Sequence, residues 1–330
     1  MGKLRKYFDS NALWLSMIIG AVGYSYLLPL KPILPWLIFF MLFFTFCKVN
    51  PLDLRLHKWH GVVLALQIFF ALGTYAGLYY LTHNKILSQG LMLCFIMPTA
   101  TAAPIIAGKL GGSIQNLTTF TLLSNFATAL LVPAVFPLVN PAADMTFWSA
   151  FLLILSRICP LLLGPFFAAW LLRIVYKQKT KKEFVLSVRL AVIPFYLWVA
   201  SIVVLSAVVT ETVIATLDSQ LSTILWLLLG SFIACVMQFG LGKWIGYKMP
   251  AASKGRDYQD VLINPAAAPK TMAGVSSITA GQAFGQKNTS LGVWMAQTYL
   301  NPLSALGAAA YIIWQNVFNS VQLAVAAHKK

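Results

Sequence analysis

Acidic side chains are scarce in this sequence. Asp and Glu together number 8 in 330 residues, and Asp9, Asp53, Asp144, Glu183, Glu211, Asp218, Asp257 and Asp260 all fall in loops or at the edges of apolar stretches. A hard-cation cage needs oxygen ligands and preferably negative charge, so its usual material is missing. Cysteine is rarer still: Cys47, Cys94, Cys159 and Cys235 have no paired spacing, which argues against a disulfide framework or a metal site. There is no HExxH, GxSxG or Walker sequence, so neither an enzyme nor a resident cofactor is expected.

What abounds is apolar surface. Hydrophobic residues make up 59% of the chain and charged ones 10%, with a mean hydropathy of +0.77. A soluble domain of this size could not hide that much apolar area. Crossing about 30 Å of hydrocarbon takes about 20 apolar residues in a helix. On that measure the chain reads as ten spans, at roughly 11–30, 32–47, 60–82, 88–107, 117–139, 146–172, 185–209, 222–246, 277–300 and 302–325.

The formal charge of +16 does not indicate a nucleic-acid partner, because the cations alternate with the spans. One set of loops carries Lys3 to Lys6, Lys48 to Lys58, Lys109, Arg173 to Arg189, Lys243 to Lys270 and the terminal Lys329 and Lys330. The other set has only Lys31 and Lys85, together with Asp144, Glu211 and Asp218. By the positive-inside rule both termini are expected in the cytoplasm, in a multi-pass protein of a cell inner membrane. His57 and His60, between Arg55 and Lys58, read as part of a solvated basic loop.

Ten spans divide as five plus five, which is an inverted-repeat plan, and the fourth span of each half is interrupted. The interruptions read MPTATAAPIIAGKLGG at 97–112 and ITAGQAFGQKNTSLG at 278–292. A helix broken in hydrocarbon frees backbone groups that need protein, water, ion or substrate as partners. Each break precedes a span with a polar stripe: Thr118, Thr121, Asn125 and Thr128 in one, Gln315, Asn319 and Gln322 in the other. Such stripes also join helices by hydrogen bonds. Lys287 is the one lysine in a span core and costs about 2.5–3.5 kcal/mol there unless solvated, paired or neutral. The second intramembrane cation, Arg157, reads as an interfacial or helix-packing residue.

These features resemble the bile acid:sodium symporter family, in its bacterial branch. The resemblance is carried by PTATAAPIIAGKLGG with LLVPAVFPL, and by GQKNTSLG followed by Pro302 and the triplet Trp314, Gln315, Asn316. It implies an all-α membrane fold of two inverted five-helix repeats whose broken fourth and ninth helices cross. The core would comprise about 60–139 and 222–325, and a panel about 11–47 and 146–209. Gln67 matches a sodium ligand of the family by position, Thr121 and Asn125 fall at its hydroxyl positions, and Asn288 matches an asparagine facing the substrate. The rest of the sodium set is absent, since Ala103 and Pro104 replace a serine-asparagine pair, Ala283 a glutamate and Lys287 a glutamine. Two bound sodium ions are therefore not expected, and Lys287 is expected to stand in for a coupling cation, either permanently charged or by reversible protonation.

The expectation is thus a carrier of a small organic anion, working by alternating access as a secondary active or facilitative transporter. Its site would comprise Thr99, Thr101, Pro104, Gln286, Lys287, Asn288 and Thr289, with helix N-termini favouring the anion. The alternatives are a membrane receptor or scaffold derived from a transporter, and a proton-coupled exchanger. Beyond the bilayer, no obligate protein partner is expected.

Overall fold

In the computed structural model of the chain, residues 2–48, 54–141, 144–182, 184, 186, 187, 190–251 and 271–328 are described. The expected loop containing Asn264 to Pro269 lies outside them. Among the described residues every regular element is helical, and the only extended pairing is one isolated bridge between Thr99 and Lys287.

The first helices are α1 (Gly2–Val22) and α2 (Tyr24–Leu27), followed by a 3-10 stretch Leu28–Ile33 and α3 (Leu34–Phe46). Gly23 ends the first of these, and Pro29, Pro32 and Pro35 tighten the connection, so the expected span at 11–30 stops short. Next come α4 (Lys58–Thr82) and α5 (Lys85–Ile96), joined through His83, whose φ of 51° is left-handed. Asn84 opens α5 by accepting a 2.9 Å hydrogen bond from Leu87 N. The chain continues through α6 (Ala103–Lys109), α7 (Ile114–Val139) and α8 (Phe147–Thr180).

Helix α9 (Ile193–Lys248) has 56 residues and is interrupted by the non-helical backbone of Gln220 (φ −127°, ψ 20°). At about 1.5 Å per residue it is too long for one crossing, whereas each arm exceeds the ~20 residues a crossing needs. The sequence reading had a loop between 209 and 222. The segment stays helical because neither glycine nor proline occurs between 195 and 229. The last helices are α10 (Met272–Gly285), α11 (Thr289–Tyr299) and α12 (Ala305–His328).

Among the described residues, five runs are long and apolar enough to cross a membrane: Tyr24–Phe46, Lys58–Thr82, Ile114–Val139, Phe147–Thr180 and Ile193–Lys248. The distribution of polarity agrees. Phe69, Leu130, Trp148 and Trp226 are exposed, while Gln67, Gln89, Ser124, Asn125, Thr128 and Gln238 are fully buried. Apolar outside and polar inside is the arrangement that hydrocarbon, not water, stabilises.

Close approach fixes the helices around α10. A Cβ on Gly246 would run into the backbone carbonyl of Ser276, and one on Gly242 into Ala280, so glycine lets α9 and α10 touch backbone to backbone.

Candidate functional site

The two interrupted helices meet at their interruptions. Helix α5 ends at Ile96 and α6 begins at Ala103, while α10 ends at Gly285 and α11 begins at Thr289. The linking strands lie antiparallel and exchange two backbone hydrogen bonds, Ala100 N to Gln286 O at 3.0 Å and Asn288 N to Pro98 O at 2.8 Å. The non-helical stretches are shorter than the polar segments at 97–112 and 278–292, because Pro104 fits the first turn of α6 and Asn288 caps α11 by accepting from Leu291 N at 3.3 Å.

The carbonyls freed at the C-terminal ends of α5 and α10 find donors on neighbouring helices. Ile96 O accepts Thr128 Oγ1 at 3.1 Å, Met97 O accepts Gln67 Nε2 at 3.1 Å, and Cys94 O accepts Gln238 Nε2 at 3.1 Å. On the other side Ala283 O accepts Thr99 Oγ1 at 2.7 Å, Gly285 O accepts Tyr311 Oη at 2.8 Å, and Lys287 O accepts Gln315 Nε2 at 3.3 Å. Thr99 N donates to Ser124 Oγ at 3.1 Å, and that hydroxyl donates to Gln67 Oε1 at 3.3 Å. Broken backbone in an apolar interior survives only when so satisfied.

Lys287 is 1% exposed. Its Nζ donates to Phe95 O at 3.2 Å and lies 5.2 Å from the centre of the Phe284 ring. No carboxylate among the described residues pairs with it. The ammonium therefore rests against the C-terminal end of α5, where the aligned peptide dipoles place partial negative charge, and on the electron-rich face of an aromatic ring.

The sequence-derived candidates separate into two groups. Thr99, Gln67, Gln286, Lys287, Asn288 and Thr289 are buried at the junction. Gln286 Nε2 donates to Gln282 Oε1 and, at 3.2 Å, to Asn319 Oδ1. Pro104 is buried in the first turn of α6, and Thr101 is half-buried outside this set of bonds. Thr121 and Asn125 turn back on their own helix, to Leu117 O at 2.9 Å and Thr121 O at 2.7 Å. It is Ser124 and Thr128 that reach the break. Ser124, Gln238, Tyr311 and Gln282 had not been singled out, since an isolated polar residue in an apolar span carries no period that marks it.

Three buried polar atoms near the junction, Asn125 Oδ1, Gln238 Oε1 and Asn288 Nδ2, have no hydrogen-bond partner among the described residues. A buried unpartnered polar atom is costly and marks a place where a further group fits. Helix α11 offers an N-terminus there, whereas α6, with 7 residues, is too short to concentrate much dipole.

One other expectation changes. His57 and His60 do not form a solvated loop: His57 caps α4 and His60, 1% exposed, lies inside its first turn. Arg157 is exposed on α8 with its guanidinium beside the Tyr299 hydroxyl. Cys47, Cys94, Cys159 and Cys235 are all free thiols.

Set against models of known protein families and against curated proteins, the chain matches none.

Proposed function

We propose that the chain is a membrane carrier that moves a small organic anion by alternating access, with the Lys287 ammonium in the role a coupling cation plays in sodium-driven carriers. The observation that carries this reading is the apposition of two broken helices with a lysine buried at their junction. Non-helical backbone deep in a membrane fold is retained where it lines a substrate or ion path, and an intramembrane cation marks function by default.

Counting α2–α3 as one crossing, α5–α6 and α10–α11 as one broken crossing each, and α9 as two, gives ten crossings. They divide into α1 to α7 and α8 to α12, and the break falls in the fourth crossing of each half, as in an inverted repeat. The cytoplasmic placement of both termini and the inner-membrane location rest on loop charge alone. In this scheme α11's N-terminus and the free Asn288 amide face the anion, while Lys287 neutralises the C-terminal ends that a metal cation would otherwise bridge.

The reading is tested by reconstituting the full chain and screening organic anions first by thermal shift, since a ligand of the folded state raises its apparent stability, and then by flux into vesicles. A ligand that stabilises the protein and also crosses the vesicle wall supports a carrier. Stabilisation without flux identifies a receptor or scaffold. Flux driven only by a pH gradient identifies a proton-coupled exchanger.

A further inference from the structure

The start of α4 is held by an arrangement that the carrier reading does not use. His57 is the N-cap and His60 the third helical residue; His57 N donates to His60 Nδ1 at 3.2 Å, and His60 N donates to the His57 carbonyl at 3.0 Å. This is the return arm of a capping box, with an imidazole in place of the usual carboxamide. An imidazole nitrogen accepts only with a free lone pair, so the His60 ring must keep Nδ1 unprotonated and carry its single proton on Nε2. His57 Nε2 donates to Asn116 Oδ1 at 3.1 Å, which ties α4 to the first turn of α7. Arg55 N adds a 3.2 Å bond to Thr119 Oγ1, and Trp59 stacks on Phe120 with ring centres 5.7 Å apart. His60 Nε2 is buried and has no hydrogen-bond partner among the described residues.

We propose that the His60 ring is a pH-sensitive latch, in which its protonation releases the start of α4 from the start of α7. A second proton puts an N–H on Nδ1, directly against a backbone N–H, and adds a positive charge beside Arg55 and Lys58. Among the described residues no carboxylate acts on the His60 ring to offset that charge. Helix α7 contributes neutral Asn116, Thr119 and Phe120, and the neighbours around Trp59 from α6, α9 and α10, such as Ala107, Ile245 and Ala280, are apolar.

The test is amide hydrogen exchange of peptides spanning 54–61 in the full-length reconstituted protein between pH 7.5 and 5.0, corrected for the intrinsic exchange rate. Below the ordinary imidazole pKa of about 6.5, opening should rise by up to about tenfold per pH unit as His60 takes up its proton in the open form. The double variant His57→Ser with His60→Gln rebuilds the box with groups that do not titrate, and its protection should be flat over the same range. Wild-type protection that does not vary with pH, or a double variant that keeps the wild-type slope, overturns the proposal. If the double variant does not fold, His60→Gln alone must show a shallower logarithmic slope than wild type, and an undiminished slope overturns the proposal equally.

Discussion

Replacing Lys287 by Met separates a functional cation from a structural one. Methionine nearly matches the volume of the lysine stem, so the packing between α10, α11 and α5 is kept. What is lost is the bond to Phe95 O at 3.2 Å and the ring contact to Phe284 at 5.2 Å. A hydrogen bond from a charged donor contributes about 1.5–3 kcal/mol and a desolvated cation–π contact about 2 kcal/mol. Against this stands the cost of holding an ammonium at 1% exposure, several kcal/mol even after relaxation. The two sides nearly cancel, so Lys287→Met should change unfolding stability by no more than about 1–2 kcal/mol, whereas a lysine kept for transport predicts loss of flux. Thermal unfolding in one detergent, paired with vesicle flux, reads both. A variant that unfolds many degrees lower, or one that carries solute at the wild-type rate, would refute the reasoning.

Other substitutions probe the scaffold. Ser124→Ala leaves the buried Thr99 N–H without its 3.1 Å acceptor and should cost about 1–3 kcal/mol in thermal unfolding, while Thr118→Ala on the half-buried side of α7 should stay within about 0.5 kcal/mol. Tyr311→Phe removes the donor to Gly285 O and the acceptor for Gln238 Nε2, with an expected loss of about 1–3 kcal/mol by the same assay. Gly246→Ala forces a methyl into the Ser276 carbonyl and should lower stability by about 1–3 kcal/mol, whereas Gly77→Ala, with nothing within 4 Å, should be neutral or gain up to about 1 kcal/mol from helix propensity.

The breaks were legible in the sequence because their chemistry is local: proline, glycine and clustered polar residues interrupt an apolar run wherever they occur, and both interruptions fall inside the segments marked at 97–112 and 278–292. The burial of Lys287 was legible for the same reason, as a lone cation within such a run. The partners of the freed carbonyls were not. Thr128, Gln238 and Tyr311 come from α7, α9 and α12, and which hydroxyl or amide reaches a break depends on helix rotation and on glycine contacts such as Gly246 against Ser276, neither of which the apolar pattern encodes. The choice of Thr121 and Asn125 over Ser124 shows the limit: all lie on one helix, and a rotation of one residue decides which face meets α5. Span ends were misplaced where charged helix formers carry a helix beyond its apolar part, as at Arg173 to Thr180 of α8.

The most direct measurement is uptake of a set of labelled short-chain mono- and dicarboxylates into proteoliposomes, run in sodium and in choline, for the wild type and Lys287→Met side by side. The account predicts uptake by the wild type that is equal in the two salts and absent from the variant. Uptake that requires sodium and persists in the variant would contradict it.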